Sequence, residues 1–302
     1  SSSAASDVYK RQAQQWLARW IDSDAPPPTR IPLADTGADW RNDAVFCFDL
    51  AMVLRGLAAA VSERLLRPNP RLVARLTEEL AALIGADGAF EACRPRRRGV
   101  ALRQRWSTRR GAFLAKAATG VIAAADVLPA IPPDLVAAAE STLARSLDAA
   151  VAAPHVDVHP LLYTLEGVLA LPAHPRCARA LPALAAQFDA LLAAAGGGVP
   201  ASLAPGRGED TPLRFDVLAQ ALRAGHALAR LRPREPPDPA GLGRLRAKLA
   251  ATIRPHGAVP FAAGEGGALD NVWATMFAEQ ALWLAEPGAD ALPRALPAPL
   301  LV

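Results

Sequence analysis

The sequence predicts an all-α protein of repeated helical hairpins, and three observations carry that prediction. Prolines and glycines cut the chain into helix-length pieces. Alternating runs of Val, Ile, Thr and aromatic residues, which would mark strands, are almost absent. A spacing near 56 residues recurs, because the turn glycines Gly88, Gly198 and Gly257 lie 110 and 59 residues apart, about two repeats and one.

Ten helices are expected: 11–22, 43–62, 70–85, 107–126, 133–152, 160–171, 175–195, 213–230, 239–253 and 270–285. Pro133, Pro160, Pro175, Pro212 and Pro239 stand at or near helix starts, where a missing N–H costs nothing and φ is already helical. The turns Ala86–Phe90, Gly196–Pro200 and Pro255–Phe261 follow odd-numbered helices, each with a glycine suited to a left-handed φ. Even-numbered helices carry the period separately. Their small residues Gly56, Gly120, Gly167, Ala224 and Ala281 are 64, 47, 57 and 57 residues apart and would let neighbours approach closely.

The even helices are apolar nearly all round, as expected of elements surrounded by neighbours. The odd ones carry charged faces, such as Arg71, Arg75, Glu78 and Glu79, or Arg244, Arg246 and Lys248. Inner even helices and outer odd helices follow. Two helices per unit, repeated about five times, must either spiral as a solenoid or close on themselves. With these repeats the chain resembles the α/α-toroid superfamily of six-hairpin glycosidases, polysaccharide lyases and squalene-cyclase-like barrels. The resemblance covers residues ~11–285 by repeat architecture and implies a toroid of about five or more hairpins. Residues 11–290 are then expected to form one toroid domain, with 291–302 a Pro-rich tail. Ser1-Ser2-Ser3 and the segment to residue 10 read as a non-native or disordered stretch, which leaves a sixth hairpin and an export signal open.

Composition narrows the function classes. At 302 residues and 52% hydrophobic the chain can bury a large core, and its 33 basic against 29 acidic residues leave only +4. That field is too weak to make nucleic acid the default partner. Aromatic residues at 5% argue against a ring-walled cavity for a polyprenyl cation or stacked bases. Cys47, Cys93 and Cys177 have no metal-ligand spacing, so no metal and no cofactor is expected. No run of 18 apolar residues is free of charge or proline, so no membrane span is expected and the reading is cytoplasmic. Acid-rich cyclase motifs, Gly-rich phosphate loops and the Gly-x-Ser-x-Gly elbow are also absent.

Alignment of the even helices on their small residues exposes positions eight, four and one before each, a stripe on one helical face. The sets are Phe48/Met52/Arg55, Ala112/Lys116/Thr119, His159/Tyr163/Glu166, Asp216/Gln220/Arg223 and Trp273/Phe277/Gln280. Polar groups on such helices must pair with one another or line a wet cavity, because an unpaired buried charge costs several kcal/mol. The cavity reading makes Glu166 and Asp216 proton-transfer carboxylates assisted by His159 and Tyr163. Trp273 would stack on a sugar face, and Asn271, Gln220, Arg223, Arg55, Lys116, Gln280 and Asp43 would bind the ligand. The pairing reading has Glu166 neutralised by Arg223 or Arg55, with His159, Asp43 and Asp270 as helix caps. In functional terms the first is a glycoside hydrolase or polysaccharide lyase. The second is a non-catalytic toroid or solenoid that binds a glycan or a protein during polysaccharide assembly. Eight arginines within residues 94–110 stand apart as a loop suited to an acidic polysaccharide or phosphate, or as a solvated loop.

Overall fold

A computed structural model describes residues 39–65, 67–128, 130–152, 157–195, 199–203, 212–264 and 269–286. The helix expected over 11–22, Gly198, and the segments 1–10 and 291–302 lie outside these. Among the described residues the chain is mainly helical, with nine α-helices, as expected of a helical repeat fold. They are α1 (Cys47–Ser62), α2 (Pro70–Ala81), α3 (Leu114–Ala125), α4 (Pro133–Ala152), α5 (Val158–Ala170), α6 (Pro175–Ala194), α7 (Phe215–Leu231), α8 (Pro239–Ala250) and α9 (Val272–Leu284). Each lies within the segment expected from the sequence or departs from it by two residues or fewer beyond its ends. Two compact units are present, the first ending at Thr142 and the second beginning at Leu143, a boundary inside α4.

Local chemistry sets the helix starts. Asn69 caps α2 by accepting from the N–H groups of Arg71 and Leu72 at 3.1 and 3.2 Å, with Pro70 in the first helical position. Asp238 does the same for α8 through Ala240 and Gly241 at 2.9 and 2.8 Å, ahead of Pro239. The buried face of α2 is Leu72, Val73, Leu76 and Leu80, a stripe of helical period. Each such side chain contributes roughly 1.5–3 kcal/mol on burial. Glu79 departs from the expected charged outer face. It turns inward and pairs with Arg94 and, at 3.2 Å, with Arg75.

The structure adds strands where the sequence predicts only helix. Ala44–Phe46 (β1) pairs antiparallel with Cys93–Pro95 (β2), so α1 opens at Cys47 rather than at residue 43. Three-residue strands are too short to show a period, and only the partner's return makes them. The same device recurs in unit 2, where Asp157 pairs with Ser202 ahead of α5 and Arg214 with Ala262 ahead of α7. Phe46, Asp157 and Arg214 are each the residue before a helix. Cys93 and Ala262 each follow a left-handed turn glycine, Gly88 and Gly257, by five residues.

The turns themselves repeat. Gly85 N–H donates to Ala89 C=O and Gly88 N–H to Gly85 C=O, at 2.8 and 3.0 Å. Arg254 and Gly257 reproduce both bonds with Ala258 and Arg254, at 3.0 and 2.8 Å. Gly88 and Gly257 have φ of 74° and 89°, the left-handed region that the sequence reading assigns them.

In unit 2, α5, α7 and α9 pack side by side in chain order, with α6 against α5 and α8 against α7. Inner and outer layers are thus present within this unit. Gly225 on α7 is where the layers meet. A Cβ there would lie 2.3 Å from Leu242 Cδ2 and 3.2 Å from the Phe188 ring. In unit 1, α1 packs against α2 and α3, and Gly120 of α3 faces Ala51, Met52 and Arg55 of α1. Among the described residues only α6 is long and apolar enough to cross a membrane. Cys177, Ala180, Leu184, Phe188 and Leu191 of that helix are buried in unit 2.

Candidate functional site

The inner helices of unit 2 all begin at a backbone bridge. Val158 N–H donates to Ala201 C=O, Phe215 N–H to Phe261 C=O and Asn271 N–H to Val259 C=O, at 3.0 to 3.1 Å. Counted from the helix starts, the first set is His159, Asp216 and Trp273, the second Tyr163, Gln220 and Phe277, and the third Glu166, Arg223 and Gln280. Hydrogen bonds between the helices join the third set and reach into it from the second.

In the third set a polar row crosses all three helices. Arg223 donates through Nε to Glu166 Oε1 at 3.0 Å, and its Nη2 makes a second bond to the same oxygen. Its Nη1 donates to Gln280 Oε1, and the guanidinium lies 4.2 Å from the Phe277 ring centroid. Gln220 donates to the other Glu166 oxygen at 2.9 Å. Glu166 and Arg223 are both 0% exposed. Gln220 has its carbonyl oxygen buried without a partner among the described residues. This is the pairing that the sequence left open between Arg223 and Arg55. A carboxylate held by three N–H groups is an anchored anion, poorly placed to deliver a proton.

Nearer the helix starts, His159 stacks on Tyr163 at 4.5 Å between ring centroids and is half-buried. Burial pushes the Tyr163 phenol far above its ordinary range. The carboxylates of Glu166 and Asp216 push it further, while Arg214 and Arg223 partly offset them. Tyr163 is therefore a protonated donor at neutral pH, not a phenolate base. Asp216 is buried and engaged by Arg214, through Nε to Oδ1 at 3.0 Å and through Nη2 to Oδ2. Arg214 also lies over the Phe261 ring at 4.7 Å. Trp273 is 37% exposed and rests on Phe277, with centroids 4.6 Å apart.

Other expected residues have different surroundings. Asn271 caps α9, its side-chain oxygen accepting from Ala274 N–H at 2.9 Å. Asp270 is not that cap and pairs instead with Arg254 and His256 at 3.0 and 2.9 Å. His159 does not cap α5, whose flanking residue is Asp157. Arg55, Lys116 and Asp43 belong to unit 1. Arg55 and Lys116 are buried, and Lys116 Nζ sits 5.6 Å over the Phe48 ring. Asp43 ends a short 3₁₀ turn, Trp40–Asp43, and is no cap of α1, because β1 intervenes. Arg214 is the functional neighbour that the periodic reading missed. It precedes its helix, outside the stripe, and only the adjacent Asp216 hints at it. No cluster of His, Cys, Asp or Glu able to hold a metal occurs among the described residues.

Compared with protein-family models and with curated proteins, the chain matches none.

Proposed function

We propose that this chain is a carbohydrate-handling protein of the α/α-toroid type, and that the starts of α5, α7 and α9 recognise a sugar. The observation that carries the reading is the half-open Trp273 ring near the start of α9, in the stripe position that His159 and Asp216 hold on α5 and α7, two turns before the hydrogen-bonded row of Glu166, Arg223 and Gln280. An indole face takes the C–H face of a pyranose, and a half-buried polar group such as His159 takes a hydroxyl. Recognition fits better than proton transfer by Glu166, since a general acid needs a carboxyl with a proton to give. Glu166, Gln220, Arg223 and Gln280 then hold the helix starts in place. The toroid is supported by the period shared by turns, bridges and inner helices.

The experiment is calorimetric titration of the full chain with a panel of oligosaccharides, with chromatographic product analysis of the same mixtures. Binding without product, weakened at least ten-fold by Trp273→Ala with little change in thermal midpoint, is the expected result. Absence of binding to every glycan, or a Trp273→Ala variant of unchanged affinity, would overturn it.

A hydrolase or lyase is the second reading, favoured by the stack of His159 on a protonated Tyr163 beside Asp216. In that case product forms, and His159→Ala stops turnover while affinity survives.

A further inference from the structure

The loop between β2 and α3 in unit 1 carries a concentration of positive charge that the proposed sugar site does not use. Arg97, Arg98, Arg103, Arg105 and Arg109 are all exposed, and no carboxylate pairs with any of them among the described residues. Elsewhere, arginines such as Arg41, Arg94, Arg110, Arg214, Arg223, Arg246 and Arg254 each have an acidic partner. The segment from Ala92 to Gly111 contains no Asp or Glu. Five like charges on one loop repel, so their company needs another cause or an outside counter-charge.

The loop is built rather than loose. The Thr108 hydroxyl donates to Arg103 C=O at 2.8 Å and accepts from Arg105 N–H at 2.9 Å, tying both backbones to one point. Arg109 Nε donates to Gln104 Oε1 at 2.9 Å. At the base, Arg96 Nε donates to Asn42 C=O at 2.8 Å, and Arg110 is held by Asp87 and Glu91. Two indoles join the cations. Trp106, 36% exposed, stands edge-on against Phe113 at 5.1 Å, and Arg103 lies 5.9 Å from the Trp40 ring centroid.

We infer that the Arg97–Arg109 loop binds an acidic polysaccharide, with the five guanidinium groups taking uronate carboxylates and Trp106 taking the C–H face of a sugar ring. Every cation in the set is Arg, whose planar fork matches a carboxylate with two parallel bonds. A uronate chain offers one carboxylate per ring and an apolar ring face between them, which suits cations interleaved with an indole. Nucleic acid would also offer anions and stacking faces, but Trp106 is the one exposed ring within residues 97–109, too few to stack successive bases. The inference stands on unit 1 alone and does not depend on the sugar site of unit 2.

The test titrates the full chain with polygalacturonate, with the same polymer fully methyl-esterified, with a single-stranded oligonucleotide and with anionic phospholipid vesicles. Polygalacturonate should bind, and esterification should abolish binding. The triple variant Arg103→Ser/Arg105→Ser/Arg109→Ser should weaken it at least ten-fold, and rising salt should weaken it steeply. The Thr108 bonds reach backbone atoms and survive, and only the Arg109–Gln104 bond and the Arg103–Trp40 contact are lost, so the loop should persist and the thermal midpoint change little. Arg97→Ser/Arg98→Ser gives a second loss should the first fail to fold. Equal affinity for the esterified polymer, tighter binding of the oligonucleotide or vesicles than of polygalacturonate, or unchanged affinity in either variant would overturn the inference.

Discussion

Arg223 and Glu166, 57 residues apart on neighbouring inner helices, form an ion pair from which water is wholly excluded. Such a pair adds little net stability relative to well-packed apolar groups, yet breaking it from one side is costly. Glu166→Gln leaves the Arg223 cation buried with only neutral partners. Unfolding of this variant by denaturant should show a loss of about 3–5 kcal/mol. Adding Arg223→Met should restore a large part of that loss. A Glu166→Gln protein as stable as the parent would show that the pair does not hold the inner layer.

Gly225 marks the place where the outer helices bear on α7. In Gly225→Ala the new methyl meets the end of Leu242 and the edge of the Phe188 ring. Leu242 can swing but the ring cannot retreat from a packed core, so a destabilisation of about 1–3 kcal/mol is expected. Leu242→Ala in the same chain should relieve part of the clash, a coupling that thermal or chemical unfolding of the two single variants and the double would read.

Tyr163 predicts a stability loss in alkali. Its folded-state pKa is raised, so above the ordinary phenol value the unfolded chain releases a proton that the folded chain retains. The stability it contributes is complete below about pH 10 and falls as pH rises beyond that. Tyr163→Phe should therefore flatten the decline of unfolding free energy between about pH 10 and 11.5. An identical slope in parent and variant would contradict the buried phenol.

Cys93 should be a slow thiol. Burial first, and the Glu91 charge second, push it up to about 11 from 9.0. At pH 8 its thiolate fraction is then roughly a hundred-fold below that of an unperturbed thiol. Alkylation followed by mass spectrometry should show Cys93 reacting slowly at pH 8 and much faster near pH 11. Cys47 and Cys177, both buried, should react only on unfolding. Rapid labelling of Cys93 at pH 8 would contradict its surroundings.

Loss of a helix cap gives a smaller, local effect. Asn69→Ala removes the acceptor for two N–H groups at the start of α2 and should cost about 1 kcal/mol, seen as a lowered unfolding midpoint. Replacement by Asp should retain most of it.

The helices were legible because their signals are local. Pro70, Pro175 and Pro239 open helices, Gly88 and Gly257 turn left-handed, and α4 runs over Pro133–Ala152, the span its spacing predicts. The strands were not legible, because Phe46 and Cys93 are 47 residues apart and neither has a pattern until they pair. Of the site, the stripe put Glu166, Arg223 and Gln280 at equivalent positions, and these do bond across the helices. The Glu166–Arg223 bond was visible as one of two options, whereas the Arg214–Asp216 bond lay off the stripe altogether.

From its own order of residues this chain determines where helices begin and end, which face of each carries polar groups, and the repeat that sets those faces level. Those properties follow from backbone sterics and a 3.6-residue period, which act within a few turns. Which polar groups join was decided only by tertiary structure, because a hydrogen bond needs partners within about 3 Å, and helix rotation and level set that distance. Glu166 is thereby a buried anchor, while His159 and Trp273 stay partly exposed.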